Sequence, residues 1–221
     1  MCNIYRPPDP HGVARHFQMD TRGLQWPGAV HPRSPGPFIR RAVDDAGYSR
    51  ELVVGQWALI PPWAKEAKLK YSTNNARSEE IIGKASYKDA WARGQRCIIP
   101  AADFDEPNWE SGKNHWWRFA RADGLPWALA GLWNTWVDRA TGEVHESYTM
   151  LTINADAHPL MRRMHKPDPK LPADQQDKRS VISIEMADVD RWLAGTVKEA
   201  TALLQLAPVE VFRAGPAGID A

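Results

Sequence analysis

The sequence predicts an α+β fold: one domain with a curved antiparallel sheet or barrel-like core flanked by short helices. Three observations carry this. The 221 residues, 43% hydrophobic and 25% charged, suit one large domain with its own core. The apolar patterning falls mainly in short β-rich runs, and Gly112-Lys113-Asn114, Asp123-Gly124 and Thr141-Gly142 supply turns between them. The helical segments are few, and they do not alternate with strands as a parallel βαβ sheet requires.

Each element follows from local chemistry. Asp9-Pro10 reads as a helix start, with Asp as N-cap, Pro at the first helical position, and Val13, Ala14 and Phe17 on one face. Residues 21–37 hold Gly23, Pro27, Gly28, Pro32, Pro35, Gly36 and Pro37 and read as a long surface loop. Leu52–Ile60 is β-rich and stops at Pro61-Pro62. Residues 78–82 and 86–93 read as short helices, the second capped by Ser86 and ended by Gly94. Strands are expected at 96–99, 102–109, 115–120, 127–137 and 147–153. A strand at 181–184, helices at 187–193 and 197–206 and a last strand at 209–212 follow, so residues 180–214 are expected to complete one domain over 1–221.

Composition excludes several classes. No run of about 18 apolar residues exists, which excludes a helical membrane span. Met1-Cys2-Asn3-Ile4-Tyr5 runs into Arg6-Pro7-Pro8-Asp9 without an apolar stretch, so no secretory leader is expected and the cytoplasm is the expected compartment. Two cysteines, Cys2 and Cys97, are too few for a disulfide scaffold or a four-thiolate zinc site. Neither a Gly-rich phosphate loop, a G-x-S-x-G elbow nor an H-E-x-x-H helix appears. The net charge is +1, but residues 1–100 carry 15 Lys+Arg against 9 Asp+Glu (+6), and residues 101–221 carry 13 against 18 (−5). A basic face is therefore compatible with near neutrality. Trp numbers 11 against 5 Phe and 5 Tyr, an unusual aromatic balance.

Five segments could carry chemistry. Removal of Met1 leaves Cys2 with an α-amine and a thiol on adjacent carbons, with ordinary pKa values of about 8 and 8.5. A basic environment would lower the thiol further. Such an aminothiol condenses with an aldehyde to an imine, and the thiolate then closes a thiazolidine; it can also act as an amidohydrolase nucleophile. In Ser72-Thr73-Asn74-Asn75-Ala76-Arg77-Ser78-Glu79, Asn75 could orient a carbonyl or sugar hydroxyl and Arg77 could grip phosphate; the competing reading is a capped helix start with a solvated Arg. In Asp103-Phe104-Asp105-Glu106, strand alternation puts Glu106 on the face of Phe104, where desolvation favours acid/base use; the competing reading is a solvated acidic edge. Between His158 and Lys170, Arg162, Arg163, Lys166 and Lys170 accompany His165, which suits a phosphate-contacting loop with an imidazole or simply a solvated loop. A zinc site at His158 and His165 is disfavoured, because the spacing fits no common ligand pair. In Trp57-Ala58-Leu59-Ile60-Pro61-Pro62-Trp63 the indoles could stack on bases or pack in the core.

These segments, in this order, resemble the SOS-response-associated peptidase (SRAP) family of abasic-site-processing proteins. The family start Met-Cys-Gly-Arg is similar to Met1-Cys2-Asn3-Ile4, and Trp-Gly-Leu-Ile-Pro-x-Trp to Trp57–Trp63. Asn-Ala-Arg-x-Glu is matched by Asn75-Ala76-Arg77-Ser78-Glu79. Arg-Cys-Ile-Ile-Pro with Phe-Tyr-Glu-Trp resembles Arg96-Cys97-Ile98-Ile99-Pro100 with Phe104-Asp105-Glu106-Pro107, and Ala-Gly-Leu-Trp reappears at Ala130–Trp133. His-x-Arg-Met-Pro is similar to His165-Lys166-Pro167 with a loosened register before Lys170-Leu171-Pro172. The match spans roughly residues 1–172. Asn3-Ile4 and Ala58 depart from the pattern, Pro107 stands where the family has Trp, and the family's early Asn-x-Ala-Pro-Thr segment is absent from residues 21–37.

The resemblance implies an abasic-site sensor that crosslinks to single-stranded DNA through a thiazolidine at Cys2, in the cytoplasm and at the nucleoid on damage. It implies that Asn75 holds Cys2 and the opened sugar, Glu106 shuttles protons and His165 assists ring opening. Arg77, with Arg162 or Arg163, would grip phosphates, while Trp57 and Pro61 cap the exposed base. It further implies a self-cleaving peptidase step that frees Cys2, with no cofactor, no metal, no membrane and a monomeric chain. The alternatives are an N-terminal-nucleophile cysteine peptidase acting on protein and a non-catalytic single-stranded DNA-binding protein.

Overall fold

Alternation and turn chemistry resolve into eleven strands and four α-helices in the computed structural model, which describes residues 2–218. In chain order they are β1 (Ile4–Arg6), α1 (Pro10–Phe17), β2 (Pro35–Arg41), β3 (Arg50–Trp57), β4 (Asn75–Arg77), α2 (Lys88–Ala92), β5 (Arg96–Ala101), β6 (Asp103–Asn108), β7 (His115–Arg121), β8 (Trp127–Val137), β9 (Val144–Asn154), β10 (Arg179–Val181), α3 (Val189–Ala194), α4 (Val197–Ala202) and β11 (Phe212–Pro216).

Two sheets form the α+β domain. Strands β9, β3, β2, β5 and β8 follow one another in that order, and β8 pairs back onto β9, so five strands close a barrel. All of its pairings are antiparallel except β3 with β9. Strand β9 also carries β4 in parallel and β10 antiparallel. The second sheet is antiparallel, in the order β1-β6-β7-β11. Closure and short flanking strands leave few exposed edges. One buried cluster, with Ile39, Leu59, Ile98, Leu132, Leu151 and Trp192, packs the barrel under α2, α3 and α4. The other draws Tyr5, Phe104 and Phe119 from the second sheet and Phe38, Trp57, Trp127 and Tyr148 from the barrel, and it includes Cys2.

Helix α1 forms as its sequence dictates. Asp9 accepts the Gly12 N–H at 2.6 Å, Pro10 opens the helix, and Val13 and Phe17 are buried. The loop expected over 21–37 is shorter, because Pro35, Gly36 and Pro37 open β2. Gly36 faces the hydroxyls of Tyr5 and Tyr148, which hydrogen-bond to each other, and a Cβ there would collide with both. Its glycine marks a close approach within a strand, not a turn. Residues 78–82 form turns instead of a helix. The Ser78 N–H is taken by the Thr152 carbonyl (2.8 Å), and the Glu79 carboxylate by the Asn154 N–H (2.7 Å) and Arg179 (2.7 Å). Ser86 does not cap α2; its hydroxyl lies 3.3 Å from that of Tyr71, and the helix starts after Tyr87 without a side-chain cap. Near the C-terminus a 3-10 turn at Val209–Val211 precedes β11, which pairs with β7 and completes the second sheet.

Gly131 on β8 tests the barrel packing. A Cβ there would lie 2.7 Å from the Thr149 carbonyl oxygen and 2.8 Å from the Cys97 sulfur. Gly131→Ala should destabilise the protein by roughly 1–3 kcal/mol, a typical overpacking cost. Thermal unfolding measures it, and an unchanged midpoint would contradict this packing.

Candidate active site

Strand β6 carries the acidic run, and alternation sorts it. Asp103 and Asp105 face outward onto arginines from both neighbours. Arg6 of β1 reaches Asp103 at 2.7 Å and Asp105 at 2.8 Å, and Arg118 of β7 reaches Asp105 at 3.1 Å. Burial raises the Asp105 carboxyl pKa, but the two arginines more than reverse it, so the net shift is downward. Phe104 and Glu106 face inward. Phe104 stacks on Phe119 with centroids 5.3 Å apart, and Glu106 is only 1% exposed.

Strand β1 lies antiparallel to β6, with Ile4 opposite Asp105, and this brings Cys2 alongside Glu106. Cys2 is fully buried, and its thiol donates to the Ile4 carbonyl at 3.3 Å. Burial, reinforced by the negative charge of Glu106, pushes the thiol pKa well above its ordinary value. The shift favours the protonated thiol over the thiolate.

Strand β4, three residues long, brings the amides. Pairing with β9 sets Asn75 opposite Met150. The Asn75 amide NH2 donates to the Cys2 carbonyl at 2.6 Å, and the Asn74 NH2 contacts that carbonyl and Asn3 Oδ1, each at 3.5 Å. Asn75 Oδ1 is buried without a hydrogen-bond partner among the described residues. Such an acceptor close to a cysteine is able to take a donor from a ligand.

His165 completes the group. It follows a 3-10 turn, Met161–Arg163, and has φ +62°. Its backbone N–H donates to the Pro107 carbonyl of β6 at 2.6 Å, and its Nε2 lies 2.8 Å from Glu106 Oε2. Its other ring nitrogen, Nδ1, is buried without a hydrogen-bond partner among the described residues. His158 does something else. Its Nδ1 accepts the N–H groups of Leu160 (3.2 Å) and Met161 (3.0 Å), and its Nε2 donates to the Ala207 carbonyl (3.0 Å), so it anchors the turn. Among the described residues no group of three or more His, Cys, Asp and Glu could hold a metal ion.

Two clefts reach this group. One of about 450 Å³ ends at Asn75 and is lined by Trp63, Tyr71, Arg77 and Tyr87. The other, about 760 Å³, ends at His165 and includes Trp109, Arg162, Arg163 and Lys178. A cleft of about 640 Å³ over Ala120 is lined by Arg15, His16, Arg121 and Arg213 and lies on the outward face of β6 and β7, away from Glu106.

The two residues expected to cap a base are both buried. Trp57 is fully buried, its indole N–H bonded to the Asn74 carbonyl (2.8 Å) and its ring edge-on to Tyr5, so it offers no face to a base. Pro61 is also buried. The exposed indole of that block is Trp63, at 49% exposure, joined by Tyr71 across the cleft. Trp57 instead fixes the backbone that presents Asn75. The arginines differ too. Arg77 is paired with Glu80 (3.3 Å) and Asp177. Arg163 is forked onto Glu110 (2.8 and 2.9 Å) and lies over Trp117. Arg162 is exposed, and no ion pair engages it among the described residues. The sequence offered both indoles of this block for stacking and the resemblance chose Trp57; Asn74 lay inside a motif but was given no role.

The family model described as SOS response associated peptidase (SRAP) matches residues 2–216. The chain belongs to this family. Within the SRAP proteins it is similar to abasic site processing protein YoqW of Bacillus subtilis (strain 168), 31% identical over 164 residues covering 68% of this chain and 67% of that one. It is also similar to abasic site processing protein HMCES of Xenopus tropicalis, 30% identical over 206 residues, 81% of this chain and 57% of that protein's length. The crystal structure of a protein from Bordetella bronchiseptica shares the fold, with a TM-score of 0.86 and 35% identity over 99% of this chain and 100% of that one. No helix among the described residues is long and apolar enough to cross a membrane.

The Glu106 charge disfavours the Cys2 thiolate. Glu106→Gln removes that charge, so the pH of half-maximal Cys2 alkylation should fall. Mass spectrometry after iodoacetamide pulses at stepped pH measures it, and an unmoved midpoint would separate the two groups electrostatically.

Proposed function

We propose that this protein is an abasic-site sensor that traps the ring-opened sugar aldehyde in single-stranded DNA as a thiazolidine on Cys2. The observation that carries this is the convergence of a chain-starting cysteine, a buried carboxylate and an imidazole: Glu106 acts on the Cys2 thiol electrostatically and lies 2.8 Å from His165. Met1, whose removal frees the Cys2 amine, lies outside the described residues.

The chemistry balances around these groups. The amine adds to the C1′ aldehyde and a water leaves, giving an imine. The thiol then adds across the C=N bond: sulfur bonds to carbon, the S–H proton passes to a base, and nitrogen regains a proton. A thiol held neutral until that step needs a nearby base, and Glu106, relayed through His165, supplies one. His165 takes the sugar hydroxyl proton on ring opening. Asn75 holds the Cys2 carbonyl, and its unpartnered Oδ1 accepts from the opened sugar. Arg162 binds phosphate directly; Arg77 and Arg163 do so by exchanging their carboxylate partners. Trp63 and Tyr71 replace Trp57 and Pro61 as the stacking surface.

An N-terminal-nucleophile peptidase would use the Cys2 amine as its own base, so peptide turnover is what distinguishes it from the sensor. The family's self-cleavage, limited to the residue before Cys2, is compatible with the site. Turnover of an unrelated peptide would favour the peptidase reading. Salt-dependent DNA binding without any adduct would favour the non-catalytic one.

Cys2→Ala should abolish the SDS-resistant adduct with an abasic oligonucleotide, and Glu106→Gln should slow it by about 100-fold. Gel shift under denaturing conditions reads both; crosslinking by Cys2→Ala at the wild-type level would end the proposal. Trp57→Ala should lower stability by about 3–5 kcal/mol. Trp63→Ala should leave stability almost unchanged and weaken oligonucleotide binding. Chemical denaturation and fluorescence anisotropy separate the two.

A further inference from the structure

Lys178 is a buried ammonium with no part in the chemistry above. It is 7% exposed and stands immediately before β10. Its Nζ donates to the His165 carbonyl at 2.6 Å and to the Met164 carbonyl at 2.7 Å. Its own backbone is fixed in turn. The Lys178 N–H donates to Asp156 Oδ1 (2.9 Å), the Asp177 N–H to Asp156 Oδ2 (3.1 Å), and the Lys178 carbonyl accepts the Ala155 N–H (2.7 Å). The ammonium is thus aimed from the start of β10 at two backbone carbonyls.

The residue it grips needs gripping. His165 has φ +62°, in the left-handed region that residues with a Cβ visit rarely. Its N–H is tied to the Pro107 carbonyl of β6, the strand that carries Glu106, and its C=O is tied to Lys178. Both sides of the unusual dihedral are therefore held, one by the strand of the acid and one by the lysine. Relaxation of this backbone toward the common β or α regions would carry the imidazole off the carboxylate. A lysine suits the task because a compact ammonium can place separate protons on two converging carbonyls, whereas a planar guanidinium favours a parallel fork. Charge-assisted bonds in a buried setting are also stronger than neutral ones.

We propose that Lys178 is a positioning residue: by clamping the Met164 and His165 carbonyls it keeps the imidazole of His165 on Glu106. The proposal rests on the abasic-site reading for its kinetic readout and stands apart from it structurally. The competing role is closure of the 166–177 loop alone, which would affect stability and not the pair.

Two measurements decide it in the full chain. The first is the adduct-forming rate at saturating abasic single-stranded oligonucleotide, beside affinity for the intact oligonucleotide. Lys178→Met should slow the adduct about 10- to 100-fold, as small misplacements of catalytic groups do, with affinity for intact DNA changed less than about twofold. Lys178→Arg should recover part of the rate. In a His165→Ala background Lys178→Met should add no further loss, because both changes remove the same function. A wild-type rate in Lys178→Met, or full additivity in that background, overturns the proposal. The second is the imidazole 15N resonances of His165. Lys178→Met should shift Nε2 toward the solvent-exposed value, and unchanged resonances overturn the proposal. If the wild-type protein forms no adduct at all, the abasic-site reading fails, and the resonances alone judge Lys178. If Lys178→Met does not fold, Lys178→Arg is read by the same two measurements, with a smaller slowing and shift expected and none overturning.

Discussion

The pairing of β1 with β6 governs the rest of this molecule. It is three residues long, yet it alone brings the first cysteine to Glu106. A pairing so short has little intrinsic stability. Here it is reinforced from outside, where Arg6 joins Asp103 and Asp105, and from inside, where Tyr5 is fully buried against Trp57 and bonded to Tyr148. Asp105 is 4% exposed, and a carboxylate so enclosed is tolerated only with its cations in place. The same charge pairs that satisfy Asp105 therefore set the register that points Glu106 inward.

The local chemistry of long elements was legible in the residues. Strand β8 runs over 127–137 as its β-rich pattern implies, α1 begins at the Asp9-Pro10 cap, and Cys97 is a buried strand residue opposite Gly131. Alternation along 103–106 correctly split two outward aspartates from an inward Glu106. The short strands β1 and β4 were not legible, because three residues carry no periodicity; their conformation comes from partners about a hundred residues away in β6 and about 75 residues away in β9. Strand β2 was hidden because Pro35-Gly36-Pro37 spells a turn locally while the glycine answers to two distant tyrosines. Within the site, Asn75 bonds to the Cys2 carbonyl and His165 to Glu106, but burial could not be read from the motif. Trp57 and Trp63 look equivalent in sequence, and only the fold makes one a scaffold and the other a surface.

That distinction also accounts for the aromatic balance. Trp57, Trp127 and Trp192 are fully buried, and Trp91, Trp133 and Trp136 nearly so. Indoles fill the space where barrel, second sheet and helices meet, and several tie their N–H to a backbone carbonyl: Trp57 to Asn74, Trp136 to Ala64 and Trp192 to Cys97. A large ring with one donor suits such junctions, since it packs like a hydrophobe and still fixes a loop or strand end. Cys2 consequently sits over a densely packed floor, with Asn75, Glu106 and His165 each delivered by a different element.

The separation along the chain between Arg6 and Asp103 has a temporal consequence. The strand that follows Cys2 pairs with one far along the chain, and its Arg6 and Asp103 are 97 residues apart. Before β6 is in place, β1 can make only its bridge from Tyr5 to Val30, which lies close by in sequence. Closing so long a loop is slow, so the pairing of β1 with β6 is expected to form after the local hairpins of the barrel.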